Sequence, residues 1–239
     1  MRQAKSLALE MVSSSTHAST YYEPFLGGGS VAAQMARLLP HHVEMRLSDS
    51  QPDLILLWQA VLSGYEPPLT LDRETYELLR HGAPSPERGW AGFAGSYCGK
   101  WFGGYGPTAS GRDYLSESWR AMQKKMAPLC TRKSVSVSQL DYRELYPAPG
   151  SIIYLDPPYE GTTSFVGVDA FNTAEFWSVA RSWAQDACCH VYVSEFAAPA
   201  DWRPIRSDER FSVVGVISLG AEAKRDKEYL FVYDGETSL

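Results

Sequence analysis

The stretch Ile152-Ile153-Tyr154-Leu155-Asp156-Pro157-Pro158-Tyr159 decides the fold. Ser151–Leu155 reads as a short apolar strand, of the kind buried on both faces in a parallel sheet. Proline cannot continue a central strand, and two in succession fix an extended turn with rigid carbonyl directions. In open α/β sheets ligands bind outside the carboxyl ends of the strands. A carboxylate, a fixed carbonyl and an aromatic ring are therefore presented together at the sheet's functional edge. A plain strand end with Tyr159 in the core is the structural alternative, and Asp-Pro-Pro-Tyr after an apolar run is too particular a combination for it.

Outward from this stretch the chain alternates strand and helix on both sides. Upstream, Ala18–Phe25 reads as a strand running into Leu26-Gly27-Gly28-Gly29, followed by a helix over Ser30–Leu39 that stops at Pro40. Val43–Leu47 is a strand ending at Asp49, and Gln51–Leu62 carries Leu54, Leu57, Trp58 and Val61 at helical spacing. Ser134–Leu140 alternates as a strand, Thr173–Gln185 is an amphipathic helix, and His190–Ser194 is a further strand. Phe211–Leu219 and Glu228–Tyr233 read as two late strands joined by a charged loop, which makes a terminal hairpin. Such alternation predicts a mostly parallel sheet covered on both faces, closed by an antiparallel strand. The middle, about 64–112, differs: it is rich in Gly, Pro, Ser and aromatic residues, and a loop this long in a compact domain is usually functional.

The bulk properties fit this reading. A chain of 239 residues holds one generous α/β domain with a modest insertion. No apolar run approaches the ~18–20 residues of a membrane helix, and Met1–Met11 lacks the pattern of a signal peptide. Cys98, Cys130, Cys188 and Cys189 show no metal or disulfide spacing, which points to a reducing cytoplasm and no structural metal. The formal charge of -6 argues against a nucleic-acid partner unless a basic region is local. Between Lys100 and Lys133 lie seven basic and two acidic residues, a local +5. That stretch suits phosphate contact, and it equally suits a solvated helix face.

The residue types at the strand ends define a chemistry. An exocyclic amine on adenine delocalises its lone pair into the ring and is a poor nucleophile. The Asp156 carboxylate and the Pro157 carbonyl can accept its two hydrogens and favour a more tetrahedral nitrogen, while Tyr159 stacks on the base. The contribution is positioning and electrostatic stabilisation. The glycine turn Glu23-Pro24-Phe25-Leu26-Gly27-Gly28-Gly29-Ser30 lacks the Lys-Ser/Thr of a P-loop and departs from the dinucleotide spacing. Asp49 stands about 20 residues on, where an acid meets a ribose hydroxyl pair. Asp141-Tyr142 follows a third strand, where an acceptor and a ring can hold an adenine. Three acidic strand ends and a glycine turn outline an adenosine-containing cofactor without phosphates.

Glu-Pro-Phe-Leu-Gly-Gly-Gly-Ser-Val and Tyr-Leu-Asp-Pro-Pro-Tyr together resemble the cofactor and catalytic motifs of the Dam-like N6-adenine DNA methyltransferases, in the order cofactor motif, recognition segment, catalytic motif. Ser96–Tyr105 and Ser194-Glu195-Phe196-Ala197-Ala198-Pro199 are similar to a bacteriophage-type branch, and Lys227–Phe231 to the family's closing strand. The resemblance spans about 20–234. It implies a Rossmann-like class I methyltransferase sheet formed by 1–63 and 131–239, with 64–130 as an inserted target-recognition segment. It implies S-adenosyl-L-methionine held by Glu23, Phe25, Gly27, Gly29, Asp49, Asp141, Tyr142 and Asp156, and a flipped adenine at Asp156, Pro157, Pro158 and Tyr159. Lys100, Trp101, Tyr105 and Arg112 are the implied contacts to double-stranded DNA, with no metal and no membrane. Trp101 and Phe102 read equally as core anchors of a small subdomain. The family's opening glycine–lysine element has no counterpart in 1–19. There is no Pro-Cys nucleophile for cytosine-C5 chemistry. The same catalytic logic also serves RNA adenine, cytosine N4 or a protein amide, and a DNA-binding protein without activity is the rival from another class.

Overall fold

The computed structural model describes residues 2–14, 17–106, 113–158, 171–211 and 225–234. Its sheet has seven strands: β1 (Thr20–Glu23), β2 (Glu44–Asp49), β3 (Val135–Gln139), β4 (Ile152–Leu155), β5 (His190–Glu195), β6 (Trp202–Phe211) and β7 (Arg225–Tyr233). They lie in the order β3-β2-β1-β4-β5-β7-β6. β1 to β5 are parallel, and β7 runs antiparallel to both β5 and β6. The strand order reverses between β1 and β4, the place where open α/β sheets take their ligands, and there Glu23 ends β1 and Asp156 follows the last residue of β4.

The helices are α1 (Arg2–Ser14), α2 (Ser30–Leu38), α3 (Pro52–Leu62), α4 (Arg73–Arg80), α5 (Pro86–Phe93), α6 (Tyr114–Cys130) and α7 (Thr173–Gln185). Their starts follow local chemistry. Gln51 accepts the Leu54 N–H at 2.9 Å with Pro52 in the first turn of α3, and Asn172 accepts the Glu175 N–H at 3.1 Å to begin α7. Alternating strand residues feed two cores. Tyr21, Met45, Leu47, Ile152 and Tyr154 face α1, α2 and α3, and Tyr22, Ile153, Leu155, Val191 and Val193 face α7.

The sheet and its closing antiparallel strand match the sequence reading, with two differences. The first late strand is β6, starting at Trp202, and of the range Phe211–Leu219 only Phe211 is described. β6 is an edge strand with one neighbour, so it tolerates Pro204 and many charges that periodicity does not read as a strand. The second difference is that 64–112 is not one long loop, because α4 and α5 lie within it. Asp72 accepts the Thr75 N–H at 2.7 Å and Ser85 the Arg88 N–H at 3.1 Å, which caps each helix.

The segment 64–130 packs on the same core as the sheet. Trp90 and Trp119 meet edge to face at 6.3 Å within the cluster under α3. Arg88 on α5 pairs at 2.5 Å with Asp53 on α3, whose side chain is 1% exposed. A Cβ at Gly89 would stand 2.4 Å from the Asp53 carbonyl oxygen, so glycine permits this close approach of the two helices.

Candidate active site at the carboxyl edge of β1 and β4

The glycine turn after β1 is fixed by side chains on three sides. Gly27 and Gly29 take φ of 46° and 63°, in the left-handed region that glycine enters without penalty. The Gly27 N–H donates to Asp49 Oδ2 at 3.0 Å, and the Trp58 indole N–H donates to the Gly27 carbonyl at 3.0 Å. Lys125 of α6 donates from Nζ to the Gly28 carbonyl at 2.7 Å. Trp58 fills the space under the turn, and a Cβ on Gly29 would lie 2.6 Å from its ring. Over Gly27, by contrast, nothing lies within 4 Å of where a Cβ would be. The turn is packed on one side and open on the other.

Two acids flank it. Asp49 is half-buried at the end of β2 and accepts the Gln51 N–H at 3.1 Å through its other oxygen. Burial raises its carboxyl above the ordinary range, and the hydrogen bond from Gly27 works against that rise. Glu23 ends β1 with 2% exposure and accepts a hydrogen bond of 2.5 Å from the Tyr21 hydroxyl. Burial pushes its carboxyl up to about 8; the Tyr21 hydrogen bond opposes this, and the negative charge of Asp156 adds to it. At neutral pH Glu23 is mostly protonated, next to an edge that otherwise carries acids.

Asp156 is half-buried, Pro157 buried and Pro158 exposed. Tyr159 lies outside the described residues. Beneath Asp156 the Tyr154 hydroxyl pairs with the Ser194 hydroxyl of β5 at 2.9 Å, joining the two strands just before their ends.

On the β3 side, Tyr142 is buried, and its ring centroid is 5.3 Å from that of Phe25 and 5.8 Å from that of Phe176. Burial, then the charge of Glu175, raises the Tyr142 hydroxyl to about 12. Phe25 and Tyr142 thus form one aromatic shelf. The Asp141 carboxylate is held by Arg143, through Nε at 2.8 Å and a second guanidinium nitrogen at 2.9 Å. That hydrogen bonding keeps the Asp141 carboxyl below the ordinary range.

The segment 64–130 places its aromatic residues differently. Ser96 and Tyr105 form an antiparallel bridge that closes the loop between them. Trp101 packs against Phe93 and Phe102, with both centroid distances 4.8 Å, and Arg88 lies over its ring at 5.2 Å. Tyr105 donates to the Leu71 carbonyl at 2.5 Å and meets Tyr76 edge to face at 5.5 Å. The described contacts of both rings are with the protein's own small core, where Trp101 and Phe102 pack together. Lys100 is exposed, as is Tyr97 at 53%, and Arg112 lies outside the described residues. The basic stretch also divides. Arg132 is buried and donates to the carbonyls of Ala36, Leu39, Pro40 and Val43 after α2, and Lys125 serves the glycine turn. Lys100, Arg120, Lys124 and Lys133 remain exposed. Trp58 and Lys125 are the site residues that the sequence did not announce. A tryptophan in an apolar helical stripe and a lysine in a charged run look like core and surface.

A seven-stranded sheet in this order, with the last strand antiparallel and a glycine turn and an acid at the reversal of order, is the class I Rossmann-like methyltransferase fold. Residues 3–77 match the family described as D12 class N6 adenine-specific DNA methyltransferase. That match takes in the glycine turn, Asp49 and Trp58, and it ends before Asp156. Solved structures with an overall likeness include the rRNA methyltransferase AviRa from Streptomyces viridochromogenes. It is 16% identical, with 96% of this chain and 85% of that one covered and a TM-score of 0.42. An rRNA methylase from Streptococcus thermophilus is 7% identical, with 95% and 94% covered and a TM-score of 0.40. No curated protein matches the sequence. Among the described residues no helix is long and apolar enough to cross a membrane.

Proposed function

We propose that this chain is an S-adenosyl-L-methionine-dependent DNA methyltransferase that acts on the N6 amino group of adenine. The observation that carries the reading is the placement of Asp156-Pro157-Pro158 and the open glycine turn on adjacent strand ends at the reversal of strand order. The residues present fit the cofactor. The space over Gly27 admits a ligand close to the backbone, and Asp49 suits its ribose hydroxyls. Phe25 with Tyr142 offers an aromatic shelf for the adenine ring, and a cation beside buried Glu23 would draw its carboxyl toward the charged form. When bound, S-adenosyl-L-methionine supplies an electrophilic methyl group on a sulfonium centre.

The work of the protein is then positioning. Asp156 and the Pro157 carbonyl accept the two hydrogens of the target amine and hold its lone pair free. The buried Tyr154–Ser194 pair braces the strand end that carries them. A base within a duplex cannot bring N6 into this recess, so the adenine is extruded. Lys100 and Tyr97 on the closed loop, with Arg120 and Lys124 on α6, are exposed and suit phosphate and base contact.

The test is transfer of a labelled methyl group from S-adenosyl-L-methionine to two DNA duplexes, one containing adenine and one built only of G·C pairs, with an adenine-containing RNA assayed beside them. Label should enter the first alone. Equal labelling of both, or labelling confined to RNA, would overturn the assignment to DNA adenine.

A further inference from the structure

The cofactor has two cationic groups and one anion, yet the site described so far offers it mostly acids. In the proposed use Glu23 and Asp156 would serve the sulfonium and ammonium side of that ligand, and Asp49 its ribose. The methionine carboxylate needs a cation. Arg143 is engaged by Asp141, and Arg46 by Glu44 at 3.0 Å. Arg37 donates to the carbonyls of Ala33 and Lys124. Lys125 is different: half-buried, it sets Nζ 2.7 Å from the Gly28 carbonyl, and among the described residues no carboxylate pairs with it.

An ammonium carries three donors, and the Gly28 carbonyl takes one. Its charge lies against a turn that is open over Gly27, and the acid at that turn, Asp49, is taken by the Gly27 and Gln51 N–H groups. Resting on the proposed use of S-adenosyl-L-methionine, we propose that Lys125 binds the methionine carboxylate of the cofactor. Burial lowers the Lys125 ammonium below its ordinary range, as expected of a cation without an acidic partner. Helix α6 thereby contributes to cofactor selection as well as covering α2.

The test compares two ligands by calorimetry: S-adenosylhomocysteine, which has the amino-acid end, and 5′-deoxy-5′-methylthioadenosine, which lacks it. Lys125→Met should weaken S-adenosylhomocysteine roughly 10- to 100-fold, the range for a charge-assisted hydrogen bond, and leave methylthioadenosine within about twofold. Gly28→Ala, whose added methyl carbon would stand 3.2 Å from Nζ, should give a smaller loss of the same selective kind. Equal loss of both ligands in Lys125→Met would show that Lys125 only supports the turn, and no loss would show that it does nothing for the cofactor; either result overturns the proposal. Failure of the unsubstituted protein to bind either ligand would instead sink the methyltransferase reading on which it rests.

Discussion

The sheet edge and the segment 64–130 carry equally conspicuous residues, yet the fold treats them in opposite ways. At the edge, strand register puts Glu23, Asp49 and Asp156 at neighbouring strand ends, and backbone geometry leaves little choice of direction. In the segment 64–130, Trp101 and Tyr105 have no strand to aim them. They pack inward on Phe93, Phe102 and Tyr76, while Tyr97 and Lys100 stay outside. A residue's type announces its chemistry in both places, but its direction can be read from sequence only where regular structure sets it.

The largest test of this contrast is Asp156→Ala. With the fold intact by circular dichroism, methyl transfer should fall at least ~10²–10³-fold, the cost of losing one positioned electrostatic partner. Near-normal transfer would remove the edge from the chemistry. Trp101→Ala should act on stability instead. It should lower the unfolding free energy by about 2 kcal/mol in a denaturant titration, less than the ~3–5 of a fully buried tryptophan. DNA affinity per folded molecule should change little. A strong loss of DNA affinity without loss of stability would return Trp101 to the interface. Gly29→Ala places a side chain at φ 63° and 2.6 Å from Trp58, and should cost about 1–3 kcal/mol together with cofactor affinity.

A smaller effect comes from Glu23. Folding raises its carboxyl from 4.5 to about 8, so over that window the folded chain keeps a proton that the unfolded chain has lost. Stability therefore falls as pH rises between these values. Glu23→Gln should remove this decline, and its melting temperature relative to the unsubstituted protein should climb across the window and level off outside it. The smallest effect is that of Lys100→Ala, which should reduce the salt dependence of DNA binding by about one phosphate contact without changing stability.

The parallel sheet was legible because Ile152–Leu155 and the strands around it are apolar runs ended by sharp signals. The inner faces of β1 and β4 follow directly from that pattern. β6 was misplaced because an edge strand needs no apolar alternation. α4 and α5 were hidden by the glycine and proline content around them, although Asp72 and Ser85-Pro86 are ordinary helix starts. Within the candidate site, Glu23, Asp49 and Asp156 were legible as strand ends. Trp58 and Lys125 were not, since they reach the glycine turn from helices 31 and 97 positions further along the chain. Arg132 was counted as surface charge, and the structure spends it on four carbonyls after α2. Composition cannot distinguish a buried cap from an exposed cation.

The most direct measurement of the central claim is the identity of the methylated nucleoside. Duplex DNA free of prior methylation is incubated with the protein and S-adenosyl-L-methionine, digested to nucleosides and resolved by mass spectrometry. The account predicts N6-methyldeoxyadenosine as the product. N4-methyldeoxycytidine in its place, or no methylated nucleoside from a protein that binds the cofactor, would contradict it.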